Sequence, residues 1–202
     1  MRIGLFGGSF DPVHRGHVAG ARAALAELAL DEVLFLPTAV PPHKPGHTFA
    51  PALRRYAMVE LALLDEPRLR VDSAELVPER PVYTIDTLER FRAERPGDEP
   101  VLLVGADSLA ELDGWRRWRE ILAATEIGAL VRPGWEWARV EPGLAPELRA
   151  ALAAARLGWV RTVADLASAS EIRRRLGRGE SPPAGWVDPR VLSFAAKYAL
   201  YR

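Results

Sequence analysis

Apolar and polar positions change their period repeatedly along this chain. Short, nearly continuous apolar runs at Ile3 to Phe6, Val33 to Leu36, Leu69 to Val71, Val101 to Val104, Ile127 to Val131 and Trp159 to Val163 read as buried strands. Between them, apolar positions recur at helical spacing over Val18 to Leu30 and around 51–64, 84–94, 108–124 and 145–156. This alternation predicts an α/β fold, an open parallel sheet with helices on both faces, because a parallel neighbour is reached only through a crossover, usually a helix. The final part changes character, with helices expected at 168–177 and 188–201 around a Pro/Gly-rich joint from Gly179 to Pro189. Residues 1–165 therefore read as the core of one domain and 166–202 as its small C-terminal helical extension.

Composition narrows the class. A length of 202 residues is enough for one domain, on a usual scale of ~100–200 residues each. Charge is balanced, 27 Lys plus Arg against 27 Asp plus Glu, so no overall field gathers nucleic acid or an anionic membrane. Cysteine is absent, which removes disulfides, cysteine nucleophiles and thiolate metal sites. No stretch approaches the ~18 apolar residues of a membrane span, and a soluble, cytoplasmic protein is expected. Asn and Gln are missing and Lys44 and Lys197 are the only lysines, a bias that fits a GC-rich genome or selection for heat tolerance. A homo-oligomer is compatible with all of this.

Two connections are long for a compact α/β domain: the proline-rich Thr38 to Pro51, and Arg132 to Pro146 with Trp135 and Trp137. The densest chemical signal lies between the first strand and first helix, in Gly7-Gly8-Ser9-Phe10-Asp11-Pro12-Val13-His14-Arg15-Gly16-His17. The glycine spacing of Gly4, Gly7 and Gly8 is not that of a GxGxxG fingerprint. Adjacent glycines instead let backbone approach a phosphate, and the following helix start is expected to offer free N–H donors and a positive dipole end. His14 and His17 can turn toward one ligand and donate to phosphate oxygens. A packed, capping pair and half of a metal site are the other readings of the same histidines.

The run resembles the GGSFDPVHxGH opening of the bacterial nicotinate-nucleotide adenylyltransferase family, within the nucleotidylyltransferase superfamily. Pro41-Pro42-His43-Lys44 is similar to that family's PPHK loop, Tyr83-Thr84-Ile85-Asp86-Thr87-Leu88 to its YTxxTL segment, and Gly105-Ala106-Asp107-Ser108-Leu109 with Trp115 to its GxDSL and W segment. Residues 167–173 resemble its ISSTxIR motif, with Ala167 for Ile and Ser170 for Thr among the departures, and the closing Tyr198 to Arg202 is also family-like.

The resemblance implies a Rossmann-like sheet and a reaction: adenylyl transfer from ATP to nicotinate mononucleotide, giving nicotinate adenine dinucleotide and pyrophosphate in NAD biosynthesis. It implies that His14, His17, Lys44 and Arg173 serve catalysis. Gly7, Gly8, Ser9, Phe10, His14, His17, Gly105, Asp107, Ser168, Ser170 and Arg173 would bind ATP. Lys44, Tyr83, Thr84, Trp115 and Arg116 would bind the mononucleotide. Mg²⁺ would be the cofactor, held mainly by ATP phosphates with no metal site of the protein's own. In a Rossmann-like order the strands ending at Gly7 and Gly105 are neighbours, and ligands bind beyond the carboxyl ends of such strands.

Several of these residues carry a plainer reading. Ser168 with Glu171 is also a capping box, Arg173 in Arg173-Arg174-Arg175 is also a solvated helix face, and Thr84 is also a helix cap. Lys44 is either an exposed loop residue or a point charge for phosphate. Trp115 and Trp118 are each a packing residue or a platform for a ring. Other functions remain open on the residues alone: transfer to nicotinamide mononucleotide or phosphopantetheine, a non-catalytic nucleotide-binding module, or a relative of class I aminoacyl-tRNA synthetases.

Overall fold

The computed structural model describes residues 1–40, 49–76, 81–131, 137–161 and 167–202. Six strands, β1 (Arg2–Gly8), β2 (Glu32–Pro37), β3 (Leu69–Val71), β4 (Glu99–Gly105), β5 (Glu126–Val131) and β6 (Leu157–Arg161), form one sheet in the order β3-β2-β1-β4-β5-β6. β1 runs parallel to β4, β4 to β5 and β5 to β6, with Phe6 opposite Leu103 and Leu102 opposite Ile127. This is the expected α/β sheet. Strand order reverses between β1 and β4, the two strands whose carboxyl ends carry the Gly7-Gly8 and Gly105 motifs. From that point the strand order runs outward in both directions, with helices in the connections between successive strands.

The chain divides into two compact units. Met1–Phe6, Gly20–Leu34 and Tyr83–Ala164 make the first, whose core is the near-continuous apolar interior of β1, β4 and β5. Ile3, Val101, Ile127, Ala129 and Val160 are each 0% exposed. That is what a strand covered on both faces requires. Gly7–Ala19, Phe35–Val82 and Asp165–Arg202 make the second, in which α2 (Ala52–Leu63) packs against α9 (Pro189–Lys197). Arg54 lies over the Tyr198 ring there, 3.4 Å from its centroid.

Helix limits differ from the sequence expectation for identifiable reasons. α1 (Arg15–Glu27) starts before Val18 and ends before Leu30. Ala29 adopts φ 49° and the Leu30 amide reaches back 3.1 Å to the Leu25 carbonyl, a Schellman turn that sends Leu30, 1% exposed, into the core. The same device ends α9 at Lys197 instead of 201: Ala199 has φ 51°, and Leu200 N–H donates to Ala195 O at 2.9 Å. Apolar periodicity ran through both turns because their C-terminal residues are themselves apolar.

The expected helix at 108–124 is three pieces: α4 (Ala106–Leu109), a 3₁₀ turn (Leu112–Gly114) and α5 (Trp118–Ala124). Arg117 at φ 55° breaks the run. The expected loop from Arg132 to Pro146 holds α6 (Trp137–Val140) and a 3₁₀ turn (Glu141–Gly143), while α7 (Pro146–Ala154) falls within the helix expected at 145–156. Thr162, Val163 and Trp135 lie outside the described residues. α3 (Thr84–Glu94) coincides with its expected limits, and α8 (Ala169–Leu176) nearly so.

Tight packing makes one glycine of β1 indispensable. A Cβ on Gly4 would meet Leu30, Val33 and Leu103 side chains at 2.9, 3.0 and 3.1 Å, whereas one on Gly7 would meet nothing within 4 Å. In denaturant unfolding, Gly4→Ala is expected to lose about 1–3 kcal/mol through overpacking. Gly7→Ala should leave stability unchanged or raise it by up to about 1 kcal/mol.

Candidate active site

The motif after β1 is built around a buried ring. Phe10 has φ 45° and is 1% exposed, its ring 5.3 Å from that of Phe35 and 5.1 Å edge-on from that of His17. A Cβ on Gly8 would stand 3.0 Å from the Phe10 ring, a tight contact that the ring would have to yield to by a few tenths of an ångström. Of the residues expected to bind ATP, Phe10 can offer only its backbone.

His14 and His17 stack, ring centroids 3.8 Å apart and 34° between planes. The Gly16 amide donates to His14 Nδ1 and the His14 amide to His17 Nδ1, each at 3.2 Å. An accepting Nδ1 has no proton, so each neutral ring carries its hydrogen on Nε2. One expectation is corrected here. The start of α1 does not offer a row of free amides, because Arg15 N–H donates to Trp186 O at 2.8 Å, Gly16 N–H to the imidazole, and His17 N–H to His14 O at 2.9 Å.

α8 begins at a real cap. Ser168 Oγ accepts the Glu171 amide at 3.2 Å, the first half of the capping box. The reciprocal half is missing, because the Glu171 carboxylate accepts from Arg174 and Arg175 at 2.5–2.7 Å. Those hydrogen bonds hold the Glu171 carboxyl down to about 2. Arg173, on the other side of the helix, donates from Nη1 to the backbone carbonyl of Asp11 at 2.6 Å and from Nη2 to Ser170 Oγ at 3.3 Å. Glycine motif, histidine pair, Ser168, Ser170 and Arg173 all belong to the second unit.

The first unit carries the other expected group. Asp107 is exposed at the start of α4, its carboxylate lying so close to Gly105 that a Cβ there would collide with it. Tyr83, not Thr84, occupies the N-cap position of α3 and makes no side-chain cap bond. Thr84 is the first helical residue, half-buried. Arg116 stacks over the Tyr83 ring, 4.9 Å from its centroid. Trp115 follows the 3₁₀ turn, its amide donating to Leu112 O at 2.9 Å, and is half-buried, while Trp118 is 8% exposed and serves packing. Lys44 lies outside the described residues.

Residues 5–175 match the Cytidylyltransferase-like family. The chain is 41% identical to the probable nicotinate-nucleotide adenylyltransferase of Chromobacterium violaceum, an alignment covering 100% of this chain and 99% of that one. The chain belongs to the nicotinate-nucleotide adenylyltransferase family. A Thermus thermophilus relative of the same name is 39% identical over 100% of both chains. Among solved structures, Plasmodium falciparum nicotinic acid mononucleotide adenylyltransferase complexed with NaAD aligns with a TM-score of 0.77, covering 99% of this chain and 97% of that one. At 16% identity that is a likeness of fold.

Three residues of this family member were absent from the expected site. Arg55 is 0% exposed and donates to the carbonyls of Ala50 (2.9 Å), Ser9 (2.6 Å), Thr38 (2.8 Å) and Ala39 (3.2 Å). Burial pulls its pKa below the ordinary arginine value, and the Asp11 carboxylate pushes back. Asp11, 1% exposed, accepts at Oδ1 from Tyr201 Oη at 2.7 Å and from the Ala50 amide at 3.2 Å. Asp11 stood inside the quoted motif, and Tyr201 in the quoted closing segment. A buried arginine one turn into an amphipathic helix gives no periodic signal.

The observed cap sets an expectation for the free protein. Ser168→Ala should cost about 0.5–2 kcal/mol in denaturant unfolding, the usual value of an N-cap hydroxyl. An unchanged unfolding midpoint would mean that the cap contributes nothing.

Proposed function

We propose that the protein transfers the adenylyl group of ATP to nicotinate mononucleotide, releasing nicotinate adenine dinucleotide and pyrophosphate, and that it works as one catalytic domain in the cytoplasm. Full-length likeness to relatives bearing that enzyme's name supports the substrate pair. The observation that carries the chemistry is the pair of imidazoles whose Nδ1 atoms accept backbone N–H bonds. Their Nε2–H groups are thereby committed as donors, the role a triphosphate requires, and not as general bases.

In the reaction, a 5′-phosphate oxygen of the mononucleotide attacks the α-phosphorus of ATP as the bond to the bridging oxygen of the β-phosphate breaks. No general base is needed, because a phosphate monoester with a second pKa of ~6 is largely dianionic at neutral pH. The barrier is the mutual repulsion and alignment of two anions, so catalysis rests on positioning and charge stabilisation. His14 and His17 donate to phosphate oxygens, and Arg173, tethered on one side, turns its remaining N–H groups to the same charge. Lys44 supplies a further cation from the 38–51 segment. A divalent cation, Mg²⁺ in this reading, enters with the phosphates of ATP as part of the substrate. Among the described residues no cluster of three or more His, Asp or Glu side chains could cage it.

Asp107, beside Gly105, is suited to accept from ribose hydroxyls, while Trp115, Thr84, Tyr83 and Arg116 are assigned to the pyridine mononucleotide. Among the described residues no helix is long and apolar enough to cross a membrane.

Pyrophosphate release from MgATP with nicotinate mononucleotide, nicotinamide mononucleotide or phosphopantetheine tests the assignment. The acid form should exceed the amide by ~10²- to 10⁴-fold in kcat/KM, since an NH₂ donor facing protein donors forfeits two charge-assisted hydrogen bonds. Equal rates with both pyridine nucleotides would reject the nicotinate assignment. His17→Ala is expected to lower kcat at least ~10²-fold, the effect of losing one preorganised donor, with little change in thermal midpoint. Parallel loss of stability and activity would assign the imidazole to the core instead.

A further inference from the structure

We infer that Tyr201 is a positioning residue that keeps Arg173 from collapsing onto Asp11. The inference rests on the reading of Arg173 as a phosphate ligand. Beyond the turn that ends α9, Tyr201 adopts φ 68°, and its hydroxyl donates to Asp11 Oδ1 at 2.7 Å. Burial, with the neighbouring carboxylate adding to it, pushes the phenol well above its ordinary pKa, so the hydroxyl remains a donor throughout the working pH range.

Asp11 needs that donor. Its side chain is 0% exposed, Oδ2 has no hydrogen-bond partner within the described structure, and the only other bond recorded to the carboxylate is the Ala50 amide at 3.2 Å. Arg55 supplies charge nearby but commits its N–H groups to four carbonyls. Among the described residues the other cation beside the carboxylate is Arg173, whose Nη1 stands 3.9 Å from Oδ2 while bonded to the Asp11 carbonyl. A buried carboxylate stripped of its hydroxyl donor would recruit that guanidinium into a closer, charge-assisted pair. Tyr201 satisfies the carboxylate with a neutral group and leaves the fork of Arg173 for the anion it is meant to hold.

Tyr201→Phe removes one oxygen and keeps the ring, so the fold is retained. Steady-state pyrophosphate release with MgATP and nicotinate mononucleotide is measured for wild type, Tyr201→Phe, Arg173→Ala and the double variant. Tyr201→Phe should lower kcat about tenfold or more, the order expected for losing a hydrogen bond to a charged group. In the Arg173→Ala background it should add less than about a twofold effect, because the residue it positions is gone. An unchanged kcat in Tyr201→Phe, or the same loss in both backgrounds, would overturn the inference. Arg173→Ala alone reports on the underlying reading: a kcat within about twofold of wild type would reject Arg173 as a phosphate ligand, whatever Tyr201 does.

Discussion

The second unit depends on one buried guanidinium. Arg55 gathers the carbonyls of Ser9, Thr38, Ala39 and Ala50, from three separate stretches of the sequence, onto a single rigid fork. Those carbonyls belong to connections between regular elements, where no ladder can satisfy them, and an unpaired buried carbonyl costs on the order of 1–3 kcal/mol. Leucine could fill the volume but would strand every one of them. Lysine has a single nitrogen and could not span the set. The cost is a charge taken from water, visible in the lowered Arg55 pKa, and Asp11 offsets part of it from within the same cluster. Signature loop and both ends of the proline-rich segment are thus fixed from inside.

On the proposed reading, the motif after β1 would hold phosphate through side chains and not through backbone amides. In a glycine-rich phosphate loop the helix amides face the anion. Here the first amides of α1 are spent on Trp186 O, His14 O and an imidazole. The imidazole that accepts one of them is rigidified by doing so, and its tautomer is set by the same bond. Backbone donor capacity is converted into side-chain donors whose direction is fixed before a substrate arrives, which is what electrostatic preorganisation requires.

How much could be read from sequence follows from which forces are local. Strand runs, α3 and the Ser168 cap were legible because burial period and capping act over a few residues. The limits of α1 and α9 were not, because Ala29 and Ala199 enter left-handed turns that glycine would have signalled. The histidine pair was legible as a motif at a helix start, yet the use of the α1 amides was hidden, since Trp186 lies far away in the sequence. Asp11 was read as part of a motif and not as a hub, because its partners Ala50, Tyr201 and Arg173 come from three distant segments.

Helical geometry resolves the three consecutive arginines of α8. Positions three and four after Glu171 lie on its face, and Arg174 and Arg175 pair with it there. Arg173, two residues on, projects from a different side and meets Asp11 instead. Saturation then separates Arg173 from Arg55. Arg55 is 0% exposed and commits four of its five N–H donors to four carbonyls, which is an architectural role. Among the described residues the Arg173 side chain, 22% exposed, donates to one carbonyl and one hydroxyl. A guanidinium tethered at one edge and open at the other has a fixed direction and unspent donors, which is the combination that recognition of a transferring phosphate demands.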